Sequence, residues 1–323
     1  MSQSNARWKW VKKGLTGLFF IAVIVLLVIY ARKVNWHDVL DVITNYNRTA
    51  ILASVALVVV SYLTYGVYDL IGQAYCGHKL QKRQVMLVSF ICYAFNLTLS
   101  TWVGGVAMRY RLYSRLGLSG STITRIFSLS IATNWLGYVL VAGIVFSSGA
   151  VPIPKGWFIG EGTLRTIGVG LLVFVVFYLA LCAFSKRRRW TVRGQKLALP
   201  SFRMALLQFA VSSANWLVMG MIIWLLFAHK VDYPQVLGVL LISSIAGVII
   251  HIPAGIGVLE AVFLALLSGE HLSHGAIIAG LLAYRVIYFI APLLLALVLY
   301  LWLESRAKSL RHKNQQDMAK NSS

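Results

Sequence analysis

Residues 240–267 form an apolar run broken in its middle by His251-Ile252-Pro253-Ala254-Gly255-Ile256-Gly257-Val258-Leu259-Glu260. Proline removes a backbone donor and the glycines loosen the chain, so a continuous helix is not expected there. A second apolar run, residues 86–116, is broken by Asn96-Leu97-Thr98-Leu99-Ser100-Thr101-Trp102-Val103-Gly104-Gly105 and then carries Arg109, Arg111 and Arg115. Broken helices at membrane depth are tolerated only where protein or a water-filled cavity surrounds them. Two such breaks, in corresponding positions of two halves, point to a transport site.

The rest of the chain supports a membrane setting. Of its 323 residues, 59% are hydrophobic and 12% charged, and the mean hydropathy is +0.76. Apolar runs of roughly 18 residues or more recur along the length, which implies a polytopic helical protein. No stretch outside them reaches the roughly 50 residues that a folded soluble domain needs. The formal charge of +21 is spread over short loops between apolar runs, as the positive-inside rule expects, and not gathered in a nucleic-acid module. Cys76, Cys92 and Cys182 have neither disulfide nor metal spacing.

Full spans are expected near residues 14–31, 50–71, 121–146, 163–184, 204–228 and 275–303, with the first one uncleaved. Residues 34–43 place Trp36, Val39, Leu40 and Ile43 on one helical face and read as a short surface helix. Asp69 lies near the far end of the second span, where a charge reaches the interface cheaply. Loop 185–203 carries Lys186, Arg187, Arg188, Arg189, Arg193, Lys196 and Arg203 without an acid, so it belongs on the cytoplasmic side, with both termini. Loops 74–85 and 105–125 are also basic and free of acids. Both stay cytoplasmic if 86–104 dips in and returns. The flanks of 236–268 show no basic excess, so that stretch dips in from the other face. The expected fold is all-α: six full spans plus two oppositely oriented re-entrant hairpins, forming an inverted repeat. The competing count, eight or more full spans, leaves one strongly basic loop outside. The expected organisation is a basic N-terminus at 1–13, one integral membrane domain at 14–303 and a basic tail at 304–323.

Glu260 is the leading candidate for function. An acid at the bilayer centre costs roughly 2.5–3.5 kcal/mol on insertion scales, so it needs a partner, a proton or a ligand. A half-helix beginning near Gly257 aims its positive end at an anionic group such as phosphate, with Gly255 and Gly257 letting backbone amides approach. The blander role for Glu260 is to cap that half-helix. Arg285, inside the last span, has no neutralising neighbour in sequence, and Glu260 is its simplest partner. The pair is either a structural staple or a site where the arginine fork holds a lipid phosphate. Arg109 and Arg111 follow the first break at the interface, as ordinary positive-inside charge or as collectors of anionic headgroups. Asn96, with Thr98, Ser100 and Thr101, either satisfies freed backbone or lines a polar path. His251 titrates near neutral pH or is a structural residue. Asn134 and Asn215 suit bonds between helices. No zinc spacing, nucleophile elbow or phosphate-binding glycine loop occurs, so neither an enzyme nor a cofactor is expected.

The runs Asn96 to Arg111 and Pro253 to Glu260, followed by Ala283-Tyr284-Arg285, resemble the transmembrane region of lysylphosphatidylglycerol synthases, and more closely a stand-alone bacterial inner-membrane family built from that region alone. The resemblance covers residues 14 to 303. Ala254 departs from the glycine pair common in the family. It implies handling of phospholipid, or aminoacyl-phospholipid, headgroups in the inner membrane without synthesis: a flippase-like translocase or lipid-binding protein in which two repeats rock. The alternative it implies is an accessory partner of a lipid-synthesising enzyme. Phospholipids are the expected partners and nucleic acid is not.

Overall fold

The computed structural model describes residues 46–99, 101–154, 160–185, 189–192, 195–250, 257–269 and 272–320. The first expected span, the surface helix at 34–43, His251 and Gly255 lie outside them.

Helix α1 covers Arg48–Cys76, α2 Lys82–Thr98 and α3 Arg109–Arg115, with a π-helical stretch, Thr101–Met108, leading into α3. Then come α4 Gly120–Ser148, α5 Glu161–Phe184 and α6 Phe202–Leu226. The second half continues with α7 Tyr233–Ile250, α8 Val258–Leu267, α9 His274–Arg285, a π-turn at Val286–Ile290 and α10 Ala291–Lys320. Polar residues start these helices by accepting otherwise orphaned amides: Asn47 from Thr49, Ser119 from Thr122, Ser201 from Met204 and Ser273 from Ala276. The fold is all-helical apart from one ribbon in the basic loop, where Arg189–Val192 pairs antiparallel with Gln195–Ala198.

Among the described residues six helices are long and apolar enough to cross a membrane. Five coincide with expected spans. The sixth, α7, was expected only as one arm of a hairpin, yet its 18 residues suffice by length. The bundle is turned outward on apolar side chains. On α5, Val173, Val176 and Phe177 are each at least 60% exposed, which suits contact with hydrocarbon.

In the first broken stretch the chain folds back on α2. Gly104 lies so close to α2 that a Cβ there would fall 1.9 Å from the Asn96 amide nitrogen. Five residues on, the Arg109 guanidinium sits 4.7 Å over the Tyr93 ring, also on α2. Helices α7 and α8 likewise pack side by side. The chain enters α2 and α7 at opposite ends of the bundle. At one end Gln73 of α1 donates to the carbonyls of His78 and Leu80, just before α2, and Tyr110 of α3 hydrogen-bonds Thr124 of α4. At the other end Trp224 donates to Val231, just before α7, while Leu272, just past α8, shares a cavity wall with Tyr46 and Leu226.

Candidate functional site: two buried arginine–carboxylate pairs

Each half of the chain brings one arginine to one carboxylate, and each of these arginines adjoins π-helical backbone. Such widened turns often mark functional positions.

The second-half pair joins Glu260 and Arg285. Helix α8 begins at Gly257, whose φ of 84° lies in the left-handed region that glycine adopts without penalty. Glu260, in the first turn, folds back so that Oε2 accepts the Gly257 amide at 2.9 Å. The same oxygen accepts Arg285 Nη2 at 2.9 Å, and Oε1 accepts Arg285 Nε at 2.5 Å. This is a two-point fork, the strong arrangement for these groups. The glutamate side chain keeps 25% of its exposure and the arginine 9%. Glu260 therefore caps its helix and also neutralises Arg285, so both roles read from the sequence are present together. Gly255 and His251 lie outside the described residues, and Gly257 starts α8.

The first-half pair joins Asp69 of α1 to Arg109 of α3. Arg109 Nη2 donates to Oδ1 at 2.9 Å and Nε to Oδ2 at 3.4 Å. Tyr113 donates to Oδ2 at 2.8 Å and Ser130 to Oδ1 at 2.7 Å. The guanidinium lies between the rings of Tyr93 and Phe127. The side chains keep 0% and 2% of their exposure. Two expectations are corrected here. Asp69 does not meet water and Arg109 does not stand open to headgroups, because each is the other's counter-ion, closed off inside the protein.

The remaining candidates separate. Arg111 and Arg115 both bind Glu304 of α10, at 3.0 and 2.7 Å. Asn96 packs on Gly105, and its Oδ1 and the Thr98 hydroxyl are buried with no hydrogen-bond partner among the described residues. Among the described residues those atoms satisfy no freed backbone group. Asn215 accepts Ser61 of α1 at 2.6 Å, a bond between helices as expected. Asn134 contributes its backbone carbonyl, which accepts the Trp216 indole. All three cysteines are free thiols.

The sequence reading missed a column of tyrosines between the two pairs. Tyr93, beneath Arg109, stacks on Tyr65 with ring centroids 4.1 Å apart. Tyr65 meets Tyr62 edge-on, and Tyr62 leans on Tyr288. Tyr288 stacks on Tyr284, the neighbour of Arg285 in sequence. The Tyr62 hydroxyl donates to the Tyr288 carbonyl at 3.0 Å inside the π-turn, and the Tyr288 and Ser61 hydroxyls share a bond of 2.7 Å. The signal was present as Tyr62, Tyr65 and Tyr68 at steps of three on α1, with Tyr284 and Tyr288 four apart, spacings that place side chains on one helix face.

Residues 15–296 match the family described as the lysylphosphatidylglycerol synthase TM region. The chain is 68% identical to a protein of Escherichia coli K12 named inner membrane protein YbhN, over 98% of this chain and all of that one. It is 24% identical to a phosphatidylglycerol lysyltransferase of Bacillus subtilis, over 87% of this chain but 33% of the enzyme. A phosphatidylglycerol lysyltransferase of Staphylococcus xylosus matches at 22% identity, over 82% of this chain and 31% of the enzyme.

Proposed function

The chain belongs to the family of the lysylphosphatidylglycerol synthase TM region, and we propose that this integral membrane protein moves phospholipid headgroups, among them aminoacylated ones, between leaflets of a bacterial inner membrane. The observation that carries this reading is the Glu260–Arg285 pair. It combines an arginine fork, a glycine-hinged helix start and residual exposure of the carboxylate, within otherwise apolar helices. Arginine suits a phosphate because its planar donors match two oxygens at once, and a helix N-terminus adds positive potential beside it.

In this reading the two folded-back stretches enter the bilayer from opposite faces without crossing it, and the basic loops and both termini face the cytoplasm. Arg285 exchanges its carboxylate for a lipid phosphate partway across. Glu260 neutralises the arginine when no lipid is present, so the charge is never buried alone. The partner-free polar atoms of Asn96 and Thr98, at the turn of the first stretch, offer hydrogen bonds to a passing headgroup. The protein relocates lipid without altering its covalent structure. The place in the inner membrane follows the name carried by the Escherichia coli relative.

The test is a leaflet-specific assay in proteoliposomes holding fluorescent anionic or aminoacylated phospholipids. The unaltered protein moves label between leaflets. Glu260→Gln and Arg285→Ala each abolish the movement and still give a folded, monodisperse protein. Unchanged movement in both variants removes the mechanism.

A second reading has its own support. The relatives named phosphatidylglycerol lysyltransferases contain this region as about one third of their length, so the chain could instead serve as the membrane partner of a separate lipid-synthesising enzyme. Co-purification with such an enzyme, with no lipid movement by the isolated chain, favours that role.

A further inference from the structure

At the bundle end that carries the basic loops, two arginines converge on a single oxygen. Arg111 Nη2 and Arg115 Nη2 both bind Glu304 Oε1, at 3.0 and 2.7 Å. Glu304 Oε2 is buried and has no hydrogen-bond partner among the described residues. Among the described residues two positive charges thus face one negative charge, and the carboxylate uses only half of its acceptor capacity on them. The cluster is open to ligand on one side, since the Arg115 side chain keeps 38% of its exposure. Partly exposed ion pairs of this kind hold weakly. A phosphate carries charge on several oxygens and satisfies two guanidiniums better than one carboxylate oxygen does.

We propose that Arg111 and Arg115 form a receiving site for the phosphate of an anionic phospholipid, with Glu304 occupying the phosphate's place until a headgroup displaces it. The inference rests on the lipid-handling reading above and adds a site distinct from Arg285. Membrane lipid is favoured over a soluble anion by the surroundings. Leu301 and Trp302, in the same stretch of α10, are exposed apolar side chains, so acyl chains have a surface beside the arginines. Displacing Glu304 removes its two ion pairs between α10 and α3, while Phe95 and Tyr300 still hold α10 to α2 through their ring contact. The closed form then keeps the two arginines partly compensated when no lipid is bound, and the bound lipid loosens the contact between α3 and α10 where it arrives.

The test measures equilibrium binding by the full-length protein in mild detergent, titrated with short-chain phosphatidylglycerol, short-chain phosphatidylcholine or inorganic phosphate. The unaltered protein prefers phosphatidylglycerol. Glu304→Gln, which keeps the shape and removes the competing charge, binds it about fivefold more tightly, the size of one partly exposed ion pair. Arg111→Gln combined with Arg115→Gln loses the preference for phosphatidylglycerol. Inorganic phosphate binds far more weakly than the lipid. An unchanged or weaker affinity in Glu304→Gln overturns the proposal, and so does retention of the preference in the double arginine variant. Phosphate binding as tight as lipid binding overturns the assignment to lipid. The outcome is separable from the translocase reading because no movement is measured. If Glu260→Gln and Arg285→Ala both still move lipid while Glu304→Gln tightens binding, the translocase mechanism falls and the receiving site stands.

Discussion

The Asp69–Arg109 and Glu260–Arg285 pairs use the same chemistry in opposite ways. Asp69 receives Arg109, Tyr113 and Ser130, and the arginine is closed between two rings. Every charge and most hydrogen-bonding capacity is spent inside the protein, so this pair fixes where the first folded-back stretch meets α1. Glu260 receives Arg285 and the amide of its own helix start, and it retains a quarter of its exposure. In the function proposed above, this pair exchanges its carboxylate for another anion. Among the described residues the two pairs thus differ in closure: the Asp69 side chain keeps 0% of its exposure and that of Glu260 25%.

The largest expected effect falls on the closed pair. Asp69→Asn or Arg109→Leu leaves a buried charge, or a buried set of donors, without its partner, at a cost of about 3–5 kcal/mol. Thermal melting in detergent drops sharply, or the protein aggregates on size exclusion. A small drop would place Asp69 and Arg109 in the same class as Glu260 and Arg285. Gly104→Ala comes next. The added methyl would collide with the backbone at Asn96, and overpacking of this kind costs about 1–3 kcal/mol, read as a lower melting temperature. Glu260→Gln keeps the side-chain shape and loses one partly exposed charge, so its stability cost is about 1 kcal/mol, while lipid movement is lost. That split between stability and activity is what the comparison requires.

The smallest effect concerns pH. His78, half-buried beside α2, is held below the ordinary imidazole range near 6.5 by burial, against the opposing pull of Asp69. Its folded form therefore binds protons less readily than its unfolded form. The stability it contributes is fully present above pH 6.5 and is lost as the pH falls through the depressed folded-state value. Melting temperatures decline between pH 7 and pH 5, and His78→Gln shows a shallower decline.

Much of this was readable from residue order. The breaks at 96–105 and 251–260 announce themselves by glycine, proline and polar residues inside apolar runs. Glu260 and Arg285 were paired because each was the other's simplest counter-charge in an apolar setting. Asp69 and Arg109 escaped because both sit close to helix ends, where charges ordinarily meet water, and because 40 residues separate them. Arg109 also looked like one more member of a basic loop. Glu304 and Arg111 are 193 residues apart, and nothing local links them. The tyrosine column was visible as spacing on α1, yet aromatic residues at helical steps are common in any core, so only packing reveals that they run from one arginine to the other. Helix α7 was read only as part of a stretch dipping in at 236–268, because the break after it drew the whole segment into a hairpin, yet its 18 residues are long enough to cross.

The most direct measurement is lipid movement by a charge-swapped protein, Glu260→Arg with Arg285→Glu, compared in one proteoliposome assay with the unaltered chain and Glu260→Gln. A purely structural pair tolerates exchange of its members, whereas a phosphate site needs the arginine on α9. The account predicts that the swap restores melting temperature toward that of the unaltered protein and leaves lipid movement abolished. Movement at the original rate in the swapped protein would contradict it.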